Sequence, residues 1–165
     1  MRSFFILCAC MGSYAASLLA APEPSDAKAL GKELMGNLSG IFSIDDTSTE
    51  KLGEYSVPAL KNGNWIIKSQ PMSLIDSFSQ ETHTVSTFFI KVDDEFVRVS
   101  TTEENEKAGN ILSHSSPAYK RLLGELRYTD KVVLSGKEYM ADYDVFRDRQ
   151  GRVIGAYLVA IPVRP

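Results

Sequence analysis

Residues 88–101 read FFIKVDDEFVRVST. Two runs rich in β-branched and aromatic side chains, 88–92 and 96–101, flank the acidic break Asp93-Asp94-Glu95, and this pattern predicts a β-hairpin with a short loop. Because side chains alternate along a strand, the second arm carries Phe96, Arg98 and Ser100 on one face and Val97, Val99 and Thr101 on the other. Arg98 therefore stands among apolar residues. A guanidinium in a half-apolar site is suited to hold a carboxylate or phosphate through two parallel hydrogen bonds; the alternative is a surface arginine on an edge strand.

Downstream of the hairpin, residues 102–110 are acidic and polar and read as an exposed loop, within which Glu103-Glu104-Asn105-Glu106-Lys107 is a solvated run. Ser116-Pro117-Ala118-Tyr119 is a helix start, with serine at the N-cap and proline at the first helical position, and Gly124 is placed to end that helix. Residues 128–134 and 137–146 read as strands joined at Ser135-Gly136. A turn at 147–151 leads to a last strand over 153–163.

Upstream, Ser25 is placed to cap a helix reaching Gly36 or Ile41, with Ala27, Leu30, Leu34, Leu38 and Ile41 giving a helical apolar stripe. Residues 45–53, DDTSTEKLG, read as a loop. Residues 54–60 and 64–69 form two short strand-like runs around Lys61-Asn62-Gly63, and residues 73–78 suit one helical turn. Trp65 is expected in the core or at its rim, with a ligand platform as the less favoured role. The element pattern is α+β with an antiparallel sheet.

Residues 1–21, MRSFFILCACMGSYAASLLAA, combine one arginine, an uncharged apolar stretch and small residues before Pro22. This is the pattern of a secretory signal peptide cleaved near Ala21, which leaves 22–165 as one domain in the periplasm or outside the cell. Lipidation at Cys10 and retention as a membrane anchor are the alternatives. Both cysteines, Cys8 and Cys10, lie in this segment, so a cleaved chain has no disulfide, cysteine–zinc site or cysteine nucleophile. The net charge of −3 comes without a basic stripe, which argues against nucleic acid as a partner.

Within residues 137–146, alternation groups Lys137, Tyr139, Ala141 and Tyr143 on one face, and Glu138, Met140, Asp142 and Asp144 on the other. Tyrosines on a pocket wall present hydroxyls to a polar ligand while their rings supply apolar surface; ordinary sheet packing is the alternative. Tyr119 and Tyr128 lie nearby in sequence and join Arg98 and Ser100 as candidate ligand contacts. His114, just before the capped helix, reads either as a pocket-mouth residue or as a surface or capping residue. His83 and His114 have no partner at metal-ligand spacing, and no hydrolase, nucleotide or dinucleotide motif occurs, so neither a metal, a cofactor nor a catalytic site is expected.

FFIKVDDEFVRVSTT followed by NILSHSSPAYKRLLGELRYTDKVVLSGKEYMADYDVFRDRQGRVIGAYLV resembles the extracytoplasmic single-Cache sensor domains of bacterial chemoreceptors and sensor kinases, in particular the Cache 3/Cache 2 fusion group. The resemblance runs from Trp65 to Val163, and the order and spacing of its motifs carry it. It implies a PAS-like fold: a five- to six-stranded antiparallel sheet with an N-terminal helix on one face and, on the other, a pocket for a small carboxylate or amino-acid-like metabolite. Candidate ligand-binding residues on this reading are Arg98, Ser100, His114, Tyr119, Tyr128, Lys137, Tyr139 and Tyr143. Asp130 and Asp142 stand where neutral residues are expected.

Receptors of this group continue into a second membrane span and a HAMP linker, and no such pattern follows Val163. The expectation is a non-enzymatic binding module working with a membrane receptor or sensor kinase in chemotaxis or related signal transduction, a homodimer being left open. The alternative is an interaction protein with a vestigial pocket that docks onto such a receptor or kinase. An enzyme is the third reading.

Overall fold

The computed structural model describes residues 21–69 and 73–163. The segment read as a signal peptide lies outside them, apart from Ala21. A five-stranded antiparallel sheet forms the centre, built from β4 (Val85–Val92), β5 (Glu95–Thr101), β6 (Tyr128–Leu134), β7 (Lys137–Arg147) and β8 (Val153–Pro162) in the order β5-β4-β8-β7-β6. A smaller antiparallel sheet is made of β1 (Phe42–Leu52), β2 (Tyr55–Asn62) and β3 (Trp65–Ile67). Among the described residues three helices complete the fold: α1 (Pro24–Gly36), α2 (Ser73–Thr82) and α3 (Pro117–Leu123).

The turns follow from their residues. Asp93 takes φ 53 in the two-residue β4–β5 turn, a left-handed conformation that a short carboxylate side chain tolerates. Ser135 (φ 48) and Gly136 (φ 80) both have positive φ between Leu134 and Lys137, the geometry that matches the twist of an antiparallel hairpin.

Helix α1 starts one residue before the position expected for its cap. Pro24 occupies the first turn, where no intrahelical N–H is lost, and Glu23 N–H donates to Asp26 Oδ2 at 2.8 Å. Helix α3 has Ser116 as its cap, as its sequence predicts, with Ala118 N–H donating to Ser116 Oγ. Its far end differs from expectation. Gly124 has an ordinary φ of −80, and the left-handed residue is Glu125, after which Leu126 N–H returns to the Arg121 carbonyl at 2.8 Å.

Strands β4, β5 and β8 are buried on both faces, and two apolar clusters divide the core. One, beneath α1, α2 and the small sheet, contains Leu34, Phe78, Phe88, Ile90, Val97, Val99 and Phe146. The other, beneath α3, contains Phe89, Phe96, Leu122, Tyr143 and Leu158. Phe88 and Phe89 lie in different clusters, as strand alternation requires.

Three expectations need correction. Residues 45–53 are strand rather than loop for most of their length, since β1 runs to Leu52 and pairs with β2 around an irregularity between Asp45 and Thr49. Helix α2 extends to Thr82, well past one turn; His83 then takes φ 54 and Thr84 N–H closes onto the Ser79 carbonyl at 3.1 Å. Trp65 belongs to neither core nor rim: it is 74% exposed at the β2–β3 turn. Among the described residues no helix is long and apolar enough to cross a membrane.

Candidate functional site

On the α3 face of the sheet, β5, β6, β7 and the chain between β5 and α3 enclose a cleft of about 470 Å³. Arg98 enters from β5, Tyr128 and Lys131 from β6, and Tyr143 from β7; Glu103, Glu106 and the serines at 113, 115 and 116 close the remaining side. Of the eight residues singled out from sequence, the fold brings Arg98, Tyr128 and Tyr143 into this cleft.

Arg98 is only 5% exposed, and its planar group lies 5.3 Å from the centre of the Phe89 ring. Its fork is engaged from within the chain. Nη2 donates to Glu103 Oε2 at 3.1 Å, and Nη1 donates to the Ile111 carbonyl at 3.0 Å while lying 3.3 Å from Glu106 Oε2. Nε is buried without a hydrogen-bond partner. Glu103 is itself buried, which pushes its carboxyl above the ordinary range while the adjacent Arg98 charge pulls it back. Its backbone N–H is held by Thr101 Oγ1 at 3.0 Å.

Tyr143 is 2% exposed, and burial, followed by the neighbouring Glu103 charge, drives its phenol strongly upward, so it stays a neutral donor. The Tyr128 ring lies 6.2 Å from that of Tyr143 in a tilted arrangement, and burial together with Asp130 raises its phenol as well. The cleft wall thus combines aromatic surface, one deeply placed cation and two carboxylates.

The other five residues lie elsewhere. Ser100 is turned away from Arg98 by a bulge: Phe89 pairs with Arg98 but Phe88 pairs with Ser100, so Val99 is the extra residue and Ser100 shares the Phe88 face. The strict alternation expected for this arm is broken there. His114 is exposed, contacts the Glu95 carboxylate at 2.8 Å and stacks on Tyr119 at 4.5 Å. Tyr119 donates to the Asp94 carbonyl at 3.1 Å, which ties α3 to the hairpin turn. Lys137 pairs with Glu104 at 3.0 Å at the surface. Tyr139 packs at the margin of the core, opposite Val132 and Pro162.

Asp130 and Asp142 do not line the cleft. Asp142 lies on the α1 face, fully buried, accepting from Thr129 Oγ1 at 2.7 Å and from the Tyr157 hydroxyl at 3.4 Å, with Arg127 Nε 3.2 Å away. Burial raises its carboxyl, opposed by the Thr129 bond and the Arg127 charge.

Glu103 and Glu106 are the site residues that the sequence reading placed in a solvated loop. Glu103 corrects that reading, being buried against Arg98. A signal for it exists: a cation on an apolar strand face requires a counter-ion. The nearest carboxylates that follow in sequence are at 103, 104 and 106. Among the described residues no group of three or more His, Cys, Asp or Glu is placed to hold a metal ion.

A second cleft of about 510 Å³ lies between the start of β1 and the β7–β8 turn, lined by Ser43, Asp46, Asn64, Asp148 and Arg152 among others. None of the candidate residues reaches it. Its one buried charged group, Asp148, is fully engaged by Arg152 at 2.7 Å and by turn amides.

No curated protein and no solved structure matches the chain. Residues 18–164 match the Cache 3/Cache 2 fusion domain. That match covers nearly the whole sequence and agrees with an α+β fold whose five-stranded antiparallel sheet carries a helix on one face and a polar cleft on the other. The chain belongs to the Cache 3/Cache 2 fusion family, a group of extracytoplasmic sensory domains.

Proposed function

We propose that the protein is an exported sensory module that binds one small carboxylate or amino-acid-like metabolite in the α3-face cleft. Arg98 anchors the anionic group, and Tyr128 and Tyr143 supply the aromatic wall and hydroxyl donors. The module passes occupancy to a membrane receptor or sensor kinase, from the periplasm or outside the cell, after loss of the segment ending near Ala21. It performs no catalysis in this role.

The observation that carries the reading is the Arg98 guanidinium, 5% exposed and yet at the wall of a cleft, with one N–H left without a partner. A buried donor without an acceptor costs free energy that a bound ligand recovers. Filling of the fork by Glu103 favours a second reading, in which the cleft is vestigial and the domain docks onto its receptor or kinase without a ligand.

A thermal-shift screen of organic acids, amino acids and amines separates the two. The binding reading expects at least one compound to raise the melting temperature, by an amount equivalent to about 2.7 kcal/mol at 100 times its dissociation constant. That response should weaken strongly in both Tyr128→Ala and Arg98→Lys. A screen without a single stabilising compound supports the docking reading instead.

A further inference from the structure

We propose that Glu106 is a built-in competitor for the ligand carboxylate, occupying its position on Arg98 until a small monocarboxylate displaces it. The inference rests on the cleft being the binding site, and it names the step by which that site opens.

The two carboxylates on Arg98 are held very differently. Glu103 is 5% exposed at its side chain, meets Nη2 with hydrogen-bond geometry, and is fixed through its backbone to Thr101. Glu106 is 30% exposed and sits 3.3 Å from Nη1, which donates one of its two N–H groups to the Ile111 carbonyl. Its carboxylate accepts a hydrogen bond from Asn110 Nδ2 at 2.7 Å. Of the two carboxylates on Arg98, Glu106 is the more exposed and the less directionally bonded to the guanidinium, and so the more readily exchanged. A free carboxylate placed where the Glu106 group lies meets the same two donor groups, Arg98 Nη1 and Asn110 Nδ2.

Exchange needs only the side chain to swing away, because the backbone on either side is tied down. Arg98 N–H donates to the Asn110 carbonyl at 2.9 Å and Gly109 N–H returns to the Arg98 carbonyl at 2.8 Å. Gly109 also lies against the β1–β2 turn, where an added Cβ would come within 2.6 Å of the Gly53 nitrogen. On the other side, Glu106 N–H closes onto the Glu103 carbonyl. A tethered carboxylate presents an effective concentration on the order of millimolar, so a ligand must outcompete it.

Charge then selects the ligand class. Arg98 and Lys131 face Glu103 and Glu106 around the cleft, a wall that is neutral in sum. Once Glu106 has moved aside the wall carries one net positive charge, which a single carboxylate neutralises and a dianion exceeds, so single carboxylates are favoured.

Acetate, the group removed in Glu106→Ala, is the probe. Its dissociation constant is measured by calorimetric titration at constant ionic strength for the wild-type protein, Glu106→Ala, Glu106→Gln and the control Glu104→Ala, whose carboxylate pairs with Lys137 outside the cleft. The expected result is roughly tenfold tighter acetate binding in both Glu106 variants, with the control unchanged, because the competent state no longer has to be cleared of its occupant. Equal affinities in wild type and both Glu106 variants, or no acetate binding to any of them, overturn the proposal. The two readings fail separately: if the metabolite screen yields a ligand whose affinity ignores Glu106→Gln, the cleft binds but Glu106 does not compete. If the screen is empty, the binding reading itself is lost.

Discussion

Arg98 Nη2 and Glu103 Oε2 lie 3.1 Å apart with both side chains within 6% of complete burial. Two charges removed from water in this way are retained only because each satisfies the other, so losing one partner is far more costly than losing an exposed pair. Glu103→Ala should lower the unfolding free energy by about 3 kcal/mol, the low end for a broken buried pair because Glu106 remains beside Arg98. Lys137→Ala, which breaks the exposed pair with Glu104, should leave the urea midpoint essentially unchanged. Equal midpoints for the two variants would show that the Arg98–Glu103 pair is not a structural element of the cleft wall.

Acid should stabilise the fold over a defined range. Burial raises the carboxyls of Glu103 and Asp142 above their ordinary values of 4.5 and 3.8. An acid whose folded value is raised contributes stability that is fully present below its unfolded value and is lost as pH rises through the folded value. Stability should therefore increase as pH falls from neutral toward 4.5, and the slope should shrink in Glu103→Gln. Asp45 and Asp148 carry lowered values and act in the opposite sense, but below 3.8. Urea unfolding at pH 7 and pH 5.5 reads the effect; a slope unaltered by Glu103→Gln would remove that residue from the linkage.

Helix α1 meets the sheet at Gly31, where an added Cβ would lie 2.7 Å from Asp142 Oδ2 and about 3 Å from the Tyr157 ring and hydroxyl. Gly31→Ala should cost about 1–3 kcal/mol through overpacking against this buried polar cluster. At Gly36, near the helix end, a Cβ meets nothing within 4 Å, so Gly36→Ala should be neutral or stabilise by about 0.5–1 kcal/mol through the unfolded chain. Thermal unfolding of the two variants side by side checks the contrast.

Much of this fold was readable where local chemistry decides it. The 88–101 hairpin, the Ser116-Pro117 helix start and the Ser135-Gly136 turn are set by residues adjacent in sequence, and the structure forms each of them. What escaped was set by partners distant in sequence or by an irregularity of one residue. Residues 46–49, DTST, look like loop because β1 is exposed there around its irregular pairing with β2, so no apolar alternation marks the strand. The bulge at Val99 reverses the side on which Ser100 falls, and nothing in FVRVST announces it. Glu103 reads as one acid among several in a polar run until the fold returns its loop to Arg98. Arg98, Tyr128 and Tyr143, singled out from the sequence, line the cleft on the α3 face.

The central claim is that a small molecule binds beside Arg98 on that face. The direct measurement is an assigned 1H–15N spectrum, including the Arg98 Nε–H resonance, recorded while a compound from the metabolite screen is titrated in. The account predicts saturable shifts at Arg98 Nε–H and at the backbone amides of Glu106, Ser113, Ser116 and Lys131, all sharing one dissociation constant. Shifts confined to the Asp148–Arg152 turn and the start of β1, with Arg98 Nε–H unmoved at saturation, would contradict it.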